Sequence, residues 1–323
     1  MSEATGSVEG RGTDCTSRKA RSRGGDRRLI GVIIVFAVVI AGGLALYRQR
    51  HIFFTTLDRV GTGAVLAGFL FGATGTMATY PAWRQVLAGL DVRLPWRAGA
   101  QVFFISQLGK YLPGSIWPVL MQMEAGRSRG AERRTMIAAN LVTIVLSCSA
   151  GLVVACALLP LHDASALTRY GWALAVLPLL LALLHPRAVP AILDRVFVLL
   201  HRPALHCRLA VGNELRASFW SLISWAGLGL QVTVLCVALG HRGMSVLLLC
   251  TGGMALAYVV GLLFLPAPAG AGVRDAVLIV VLEPTLPFGQ ALIVAVASRV
   301  MLAASDVGLA LASMLLRLSR PRL

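Results

Sequence analysis

Charge is scarce in this sequence. Only 14% of its 323 residues are Asp, Glu, Lys or Arg, where soluble domains carry roughly a quarter. That excludes an ordinary soluble enzyme. Acidic residues are scarcest, 14 against 30 basic ones, and lysine is nearly absent, with Lys19 and Lys110 alone. Catalytic signatures are missing too. No HExxH, GxSxG or CxxC occurs, and Gly109-Lys110 runs into Tyr111 without the upstream glycine of a Walker A loop. His201 and His206 flank Pro203, a poor arrangement for a metal. The expectation is a protein that is not an enzyme, with no ATP motor, catalytic set, metal or cofactor. Of the six cysteines, Cys148, Cys156, Cys236 and Cys250 lie in apolar runs, Cys15 in the N-terminal tail and Cys207 in a basic loop. They form no disulfide framework and read as small hydrophobes.

What is present is apolar. Hydrophobic residues make up 57% of the chain, the mean hydropathy is +0.77, and apolar runs recur from Leu29 to Leu318. Several approach the roughly 20 residues that cross a bilayer as a helix. The chain therefore reads as an all-α polytopic transmembrane bundle. Its net charge of +16 does not imply nucleic acid, because the cations are spread through short loops between apolar runs. That is the pattern that orients membrane helices.

Residues 1–28 are Gly, Ser and Arg rich and cannot bury a core, so they are expected to be a disordered basic cytoplasmic tail, followed by an integral membrane domain over 29–323. The run Leu29 to Tyr47 suits an uncleaved first helix better than a signal peptide, for which Gly43-Leu44-Ala45 is a weak cleavage site. Further spans are expected at Val60 to Tyr80, Thr135 to Leu159, Tyr170 to Leu184, Phe219 to Leu239 and Gln290 to Leu315. Two apolar segments, Ala98 to Met123 and Met244 to Leu282, are broken by proline and glycine at Leu112-Pro113-Gly114 and at Pro266 to Gly272. In the first, the returning arm of about 16 Å is too short to cross. A re-entrant hairpin is expected in each case, a backbone tolerated at membrane depth only inside protein or beside a wet cavity.

Charge placement agrees. Re-entry keeps the arginines of Glu124 to Arg134, of His185 to Ala217 and of the C-terminus on the cytoplasmic side. Arg48, Arg50 and Arg59 fall outside and must snorkel. About six spans plus two hairpins result, with a cytoplasmic N-terminus in the cell (inner or plasma) membrane. An offset of 153 residues carries Leu112-Pro113 onto Leu265-Pro266, Ala138 onto Ala291 and Ala150 onto Ala303. This suggests an inverted repeat, whose paired broken segments point to a transport site near the midplane.

Ionisable residues inside apolar segments are functional candidates, because each costs at least about 2.5 kcal/mol at the bilayer centre. Lys110 stands just before the first break; the alternative for it is snorkelling to the interface. Arg274 and Asp275 follow the second break. As adjacent residues they do not face each other on a helix and need other partners. Asp275 suits a helix start. Arg299 and Asp306 share one face of the last span, about 10 Å apart, too far to pair directly. Glu283 is therefore the candidate partner of Arg299. Gly61, Gly68, Gly72 and Gly75 suggest a close helix contact. Trp83, Trp96 and Trp117 are expected at membrane interfaces. Ala191 to His201 reads as an amphipathic helix on the inner leaflet.

The run Ser106-Gln107-Leu108-Gly109-Lys110-Tyr111-Leu112-Pro113-Gly114-Ser115-Ile116-Trp117, with Pro266 to Asp275 and Arg299, resembles the lysylphosphatidylglycerol synthase transmembrane-region family, or flippase-like domain family. The resemblance covers roughly residues 30 to 318. It implies a module that moves an aminoacylated phospholipid between leaflets when fused to a soluble aminoacyl-transferase domain. Stand-alone members are presumed to handle lipids or lipid-linked sugars. The soluble domain is missing here, so synthase activity is not implied. Where members often carry Glu-Arg in the helix after the first hairpin, this sequence has Asn140-Leu141.

The expected function is translocation of an anionic phospholipid or lipid-linked sugar, with an anionic membrane lipid as partner and no nucleic acid. The substrate-binding set is Gln107, Lys110, Tyr111, Pro113, Gly114, Arg274, Asp275, Arg299 and Asp306. The alternative is a non-transporting scaffold or accessory subunit for a lipid-modifying enzyme or glycosyltransferase. A membrane-embedded transferase is weaker, since no paired carboxylates appear.

Overall fold

The computed structural model describes residues 58, 60–112, 117–127, 130–163, 175, 178–179, 182, 188–199, 210–263 and 272–318. The tail, the Leu29 to Tyr47 run, most of the Tyr170 to Leu184 run, Arg48, Arg50, Arg59, Cys15, Cys207, Pro113, Gly114 and residues 264–271 lie outside the described residues. The described chain is helical throughout: α1 (Thr62–Gly89), α2 (Trp96–Gln107), a single 3-10 turn (Leu108–Tyr111), α3 (Trp117–Arg127), α4 (Arg133–His162), α5 (Ala188–Leu199), α6 (Val211–Ala238), α7 (Met244–Leu263), α8 (Val273–Leu282) and α9 (Phe288–Leu318).

Five of these helices are long and apolar enough to cross a membrane: α1, α4, α6, α7 and α9. Four answer expected spans. The fifth, α7, is the first arm of the second broken segment, and its 20 residues give about 30 Å of helix, a full hydrocarbon thickness. Length alone thus does not force that segment to turn back. The first broken segment differs: α2 has 12 residues and α3 has 11, so neither can cross at about 1.5 Å per residue. Adding the 153-residue offset to Arg133–His162 gives 286–315, and α9 begins at Phe288. The order of broken segment then long helix therefore repeats.

Between membrane helices, close packing and polar contacts matter more than the hydrophobic effect. The α1–α6 seam shows this. A Cβ on Gly75 would stand 2.9 Å from the Ser224 carbonyl oxygen, and one on Gly227 would stand 2.8 Å from the Gly75 Cα. Only glycine admits such an approach. Gly72 packs against the Gln231 side chain in the same seam, as the glycine stripe suggested. Gly61 instead precedes α1 with a positive φ of 83° and open space around it. Buried amides fasten α9 from two sides: Gln231 Nε2 donates to the Ser298 carbonyl at 3.2 Å, and Gln101 Nε2 to the Ser313 carbonyl at 3.1 Å.

Two apolar clusters result. One gathers Tyr80, Trp83, Phe103 and Leu108 with Met136 and Leu146; the other gathers Trp225, Leu228 and Met254 with Leu152 and Leu159. Helix α4 runs through both. Trp83 is fully buried, against Tyr80 and Phe103, which corrects its assignment to an interface. Pro81 follows Tyr80 within α1 and does not end the helix; Trp83 is therefore still helical and faces inward. Trp96 and Trp117 are exposed, as interface residues should be. Helix α5 covers most of the expected amphipathic stretch.

Candidate functional site

A cavity of about 210 Å³ opens where the two clusters meet, with Trp83 and Phe103 on one side and Trp225 and Leu228 on the other. Its charged end is built from both broken segments and α9. At the first break, α2 tightens into the 3-10 turn, which carries Lys110 and Tyr111. Gly109 permits it: a Cβ there would lie 3.1 Å from Pro118 N and Trp117 Cβ, so the turn packs directly on the start of α3. Lys110 Nζ sits 2.7 Å from Asp306 Oδ2, and the Tyr111 hydroxyl donates to the same oxygen at 2.6 Å. Asp306 is 2% exposed, and its Oδ1 has no partner.

The second break feeds α8 through Gly272, whose φ of 83° favours glycine. The Gly272 N–H donates to Asp275 Oδ2 at 3.3 Å, so the carboxylate caps the first turn where the helix dipole favours it. That same oxygen accepts from Arg299 Nη1 at 2.5 Å. Asp275, rather than Glu283, is therefore the partner of Arg299. Arg274 Nη2 approaches Asp275 Oδ1 at 3.6 Å, so the adjacent residues do meet, because the long guanidinium arm folds back over the first turn. The Arg274 guanidinium also lies 5.7 Å from the centroid of the Tyr258 ring. Gly261 makes room for it, since a Cβ there would meet Arg274 Cβ at 2.8 Å.

Arg299 and Asp306, two turns apart on α9, thus bind different breaks. The first break brings a cation to the helix's anion, and the second an anion to its cation. Of the nine residues read as substrate-binding, Gln107, Lys110, Tyr111, Arg274, Arg299 and Asp306 line one cavity. Asp275 stands behind the two arginines, and Pro113 and Gly114 lie outside the described residues.

The sequence matches the family described as Lysylphosphatidylglycerol synthase TM region over residues 29–304. The chain belongs to that family. It is an integral membrane protein of it, with a helical bundle consistent with several membrane spans. Both breaks and Arg299 fall inside the matched region, while Asp306 lies two residues past its end. No curated protein matches the chain.

Apart from Asn140, noted as a departure from the family's Glu-Arg, the neutral lining was not singled out from the sequence. Thr79, Gln122, Asn140, Thr143, Ser147 and Tyr258 all face the cavity. Gln122 is 1% exposed with its Oε1 unpartnered, and Trp83 Nε1 is likewise buried and bare. A glutamine on an 11-residue arm too short to cross was the one available signal.

Proposed function

We propose that this protein moves an anionic lipid between the leaflets of the cell membrane and does not chemically transform it. Its family has a lipid-handling name, and the reading rests on one observation: Lys110, Arg274 and Arg299 converge on a cavity at the meeting of two broken segments. Two resident carboxylates, Asp306 and Asp275, pair with these three cations, and the positive charge left over is costly in an apolar bundle unless an anion visits it. The phosphate would lie against the cations while the acyl or prenyl tails stay in lipid. In this reading the first broken segment re-enters from the cytoplasmic side, the halves are inverted, and the N-terminus is cytoplasmic. Cysteine labelling tests that frame: a cysteine placed at Ser128 should react from the cytoplasm, and labelling from outside would refute it.

Reconstitution tests the function. Lys110→Ala should abolish leaflet transfer in proteoliposomes while the protein still inserts and runs as a folded species in detergent. Normal transfer by that variant would defeat the proposal. The scaffold alternative predicts that the wild-type protein moves no lipid at all.

A further inference from the structure

Resting on that reading, we infer that the cavity selects a lipid carrying a single phosphodiester, net charge −1, whose head is one neutral, hydroxyl-rich unit. Charge count is the first argument. Among the described residues, the charged side chains gathered at the site are Lys110, Arg274 and Arg299 against Asp306 and Asp275. Three positive charges facing two negative ones leave one positive charge. Tyr111 and Tyr258 add phenol hydroxyls to the lining and no formal charge. Residues 113–116 and 264–271, which continue the chain at the two breaks, contain no ionisable side chain.

A monoanion brings such a site to neutrality. A diphosphate leaves it negative, a singly aminated head leaves its charge unchanged, and a lysylated head of net charge +1 leaves it more positive than before. Uncompensated charge in a buried setting is costly in either direction.

Hydrogen-bonding sense is the second argument. Thr79 and Thr143 donate their hydroxyl protons to their own helices, to the Thr76 and Ala139 carbonyls at 2.6 and 2.7 Å. Asn140 donates to the Met136 carbonyl at 2.9 Å. What the threonines offer the cavity is acceptor oxygen, and Asn140 offers its carbonyl oxygen together with its second amide N–H. Gln122 Oε1 and Asp306 Oδ1 are buried acceptors lacking donors, and Trp83 Nε1 is a buried donor lacking an acceptor. The acceptor oxygens on the lining call for a ligand that supplies donors, and Lys110 with the two arginines calls for an acceptor. Hydroxyl groups do both. An ammonium would also donate, but it would bring a like charge beside Lys110 and two arginines.

Size is the third. At about 210 Å³ the space falls below the roughly 300 Å³ where drug-sized pockets begin. It suits a phosphate with one glycerol-sized or hexose-sized unit.

Two lipid sources share this chemistry, a phosphatidylglycerol and a polyprenyl monophosphate hexose, and the experiment separates them. Full-length protein in liposomes is given four labelled probes: phosphatidylglycerol, lysyl-phosphatidylglycerol, a polyprenyl monophosphate hexose and a polyprenyl diphosphate hexose. Transfer is read by quenching or extraction of the outer leaflet, and binding of each probe is read separately by native mass spectrometry in detergent. One or both monophosphate lipids should bind and move at least about tenfold better than the lysyl and diphosphate probes.

Equal or better handling of either of those two overturns the inference, and so does binding that does not discriminate. If no probe moves yet a monophosphate lipid binds selectively, the transport reading fails and the selectivity stands. Charge variants give a second arm. Asp306→Asn makes the site doubly positive and should shift preference toward the diphosphate, whereas Lys110→Gln should shift it toward zwitterionic phosphatidylethanolamine. Unchanged preference in both variants counts against the charge count.

Discussion

The two breaks hold α9 by opposite means. At the second, Asp275 binds two arginines and its own helix start at once, so both of its oxygens are used. At the first, Asp306 receives Lys110 and Tyr111 on one oxygen and leaves the other bare. Lys110 keeps 22% of its side chain accessible. The second break is thus a closed fastening, and the first is a fastening with a spare acceptor on a residue that lines the cavity. Flanking lengths follow the same division. Helix α7 is long enough to cross the membrane, whereas neither α2 nor α3 is. The first break therefore hangs on short arms and is held in place by what it touches.

The largest effect should come from opening the closed fastening. Asp275→Ala leaves Arg299 and Arg274 without the carboxylate that both of them bind. Removing one member of a buried pair costs about 3–5 kcal/mol. The thermal midpoint of the detergent-purified variant should fall sharply, and well below that of Lys110→Ala, in which Asp306 keeps Tyr111. Equal losses would erase the contrast between the breaks.

A middle-sized effect tests why each break can approach its neighbour. Gly261→Val would drive a side chain into Arg274 Cβ, 2.8 Å from the new Cβ, and α7 and α8 would have to part. Overpacking of this kind costs about 1–3 kcal/mol. Gly109→Ala meets its nearest atoms at 3.1 Å, a contact relieved by a few tenths of an ångström, so its midpoint should drop less. The reverse order would place the rigid seam at the first break.

Much of this fold was legible in the sequence because membrane helices announce themselves by length and hydropathy. Four expected spans correspond to α1, α4, α6 and α9. Helix α7 was hidden because the proline and glycine cluster that follows it coloured the whole segment. Trp83 misled because tryptophan suits both an interface and a core, and only tertiary neighbours decide between them. The charged site residues stood out for the cost of charge in lipid, and four of them, Lys110, Arg274, Arg299 and Asp306, do share a cavity. Their pairing was less readable. Seven residues of separation on α9 ruled out a direct Arg299–Asp306 contact, but nothing in one dimension says which break reaches which turn. The hydroxyl and amide lining was hidden for the opposite reason: threonine, serine and asparagine satisfy themselves on their own helix and cost little in an apolar run.

The smallest expected effect is the most discriminating. Tyr111→Phe removes one donor to Asp306 and leaves its Lys110 contact in place. A hydrogen bond to a charged group contributes about 1.5–3 kcal/mol, but here the lysine remains to satisfy the same oxygen, so the midpoint should move little. If the first break is the working end, the rate of lipid transfer should change in this variant while its folding does not. A variant as unstable as Asp275→Ala would instead make Tyr111 a second closed fastening. The two breaks would then be alike, and the spare oxygen of Asp306 would lose its meaning.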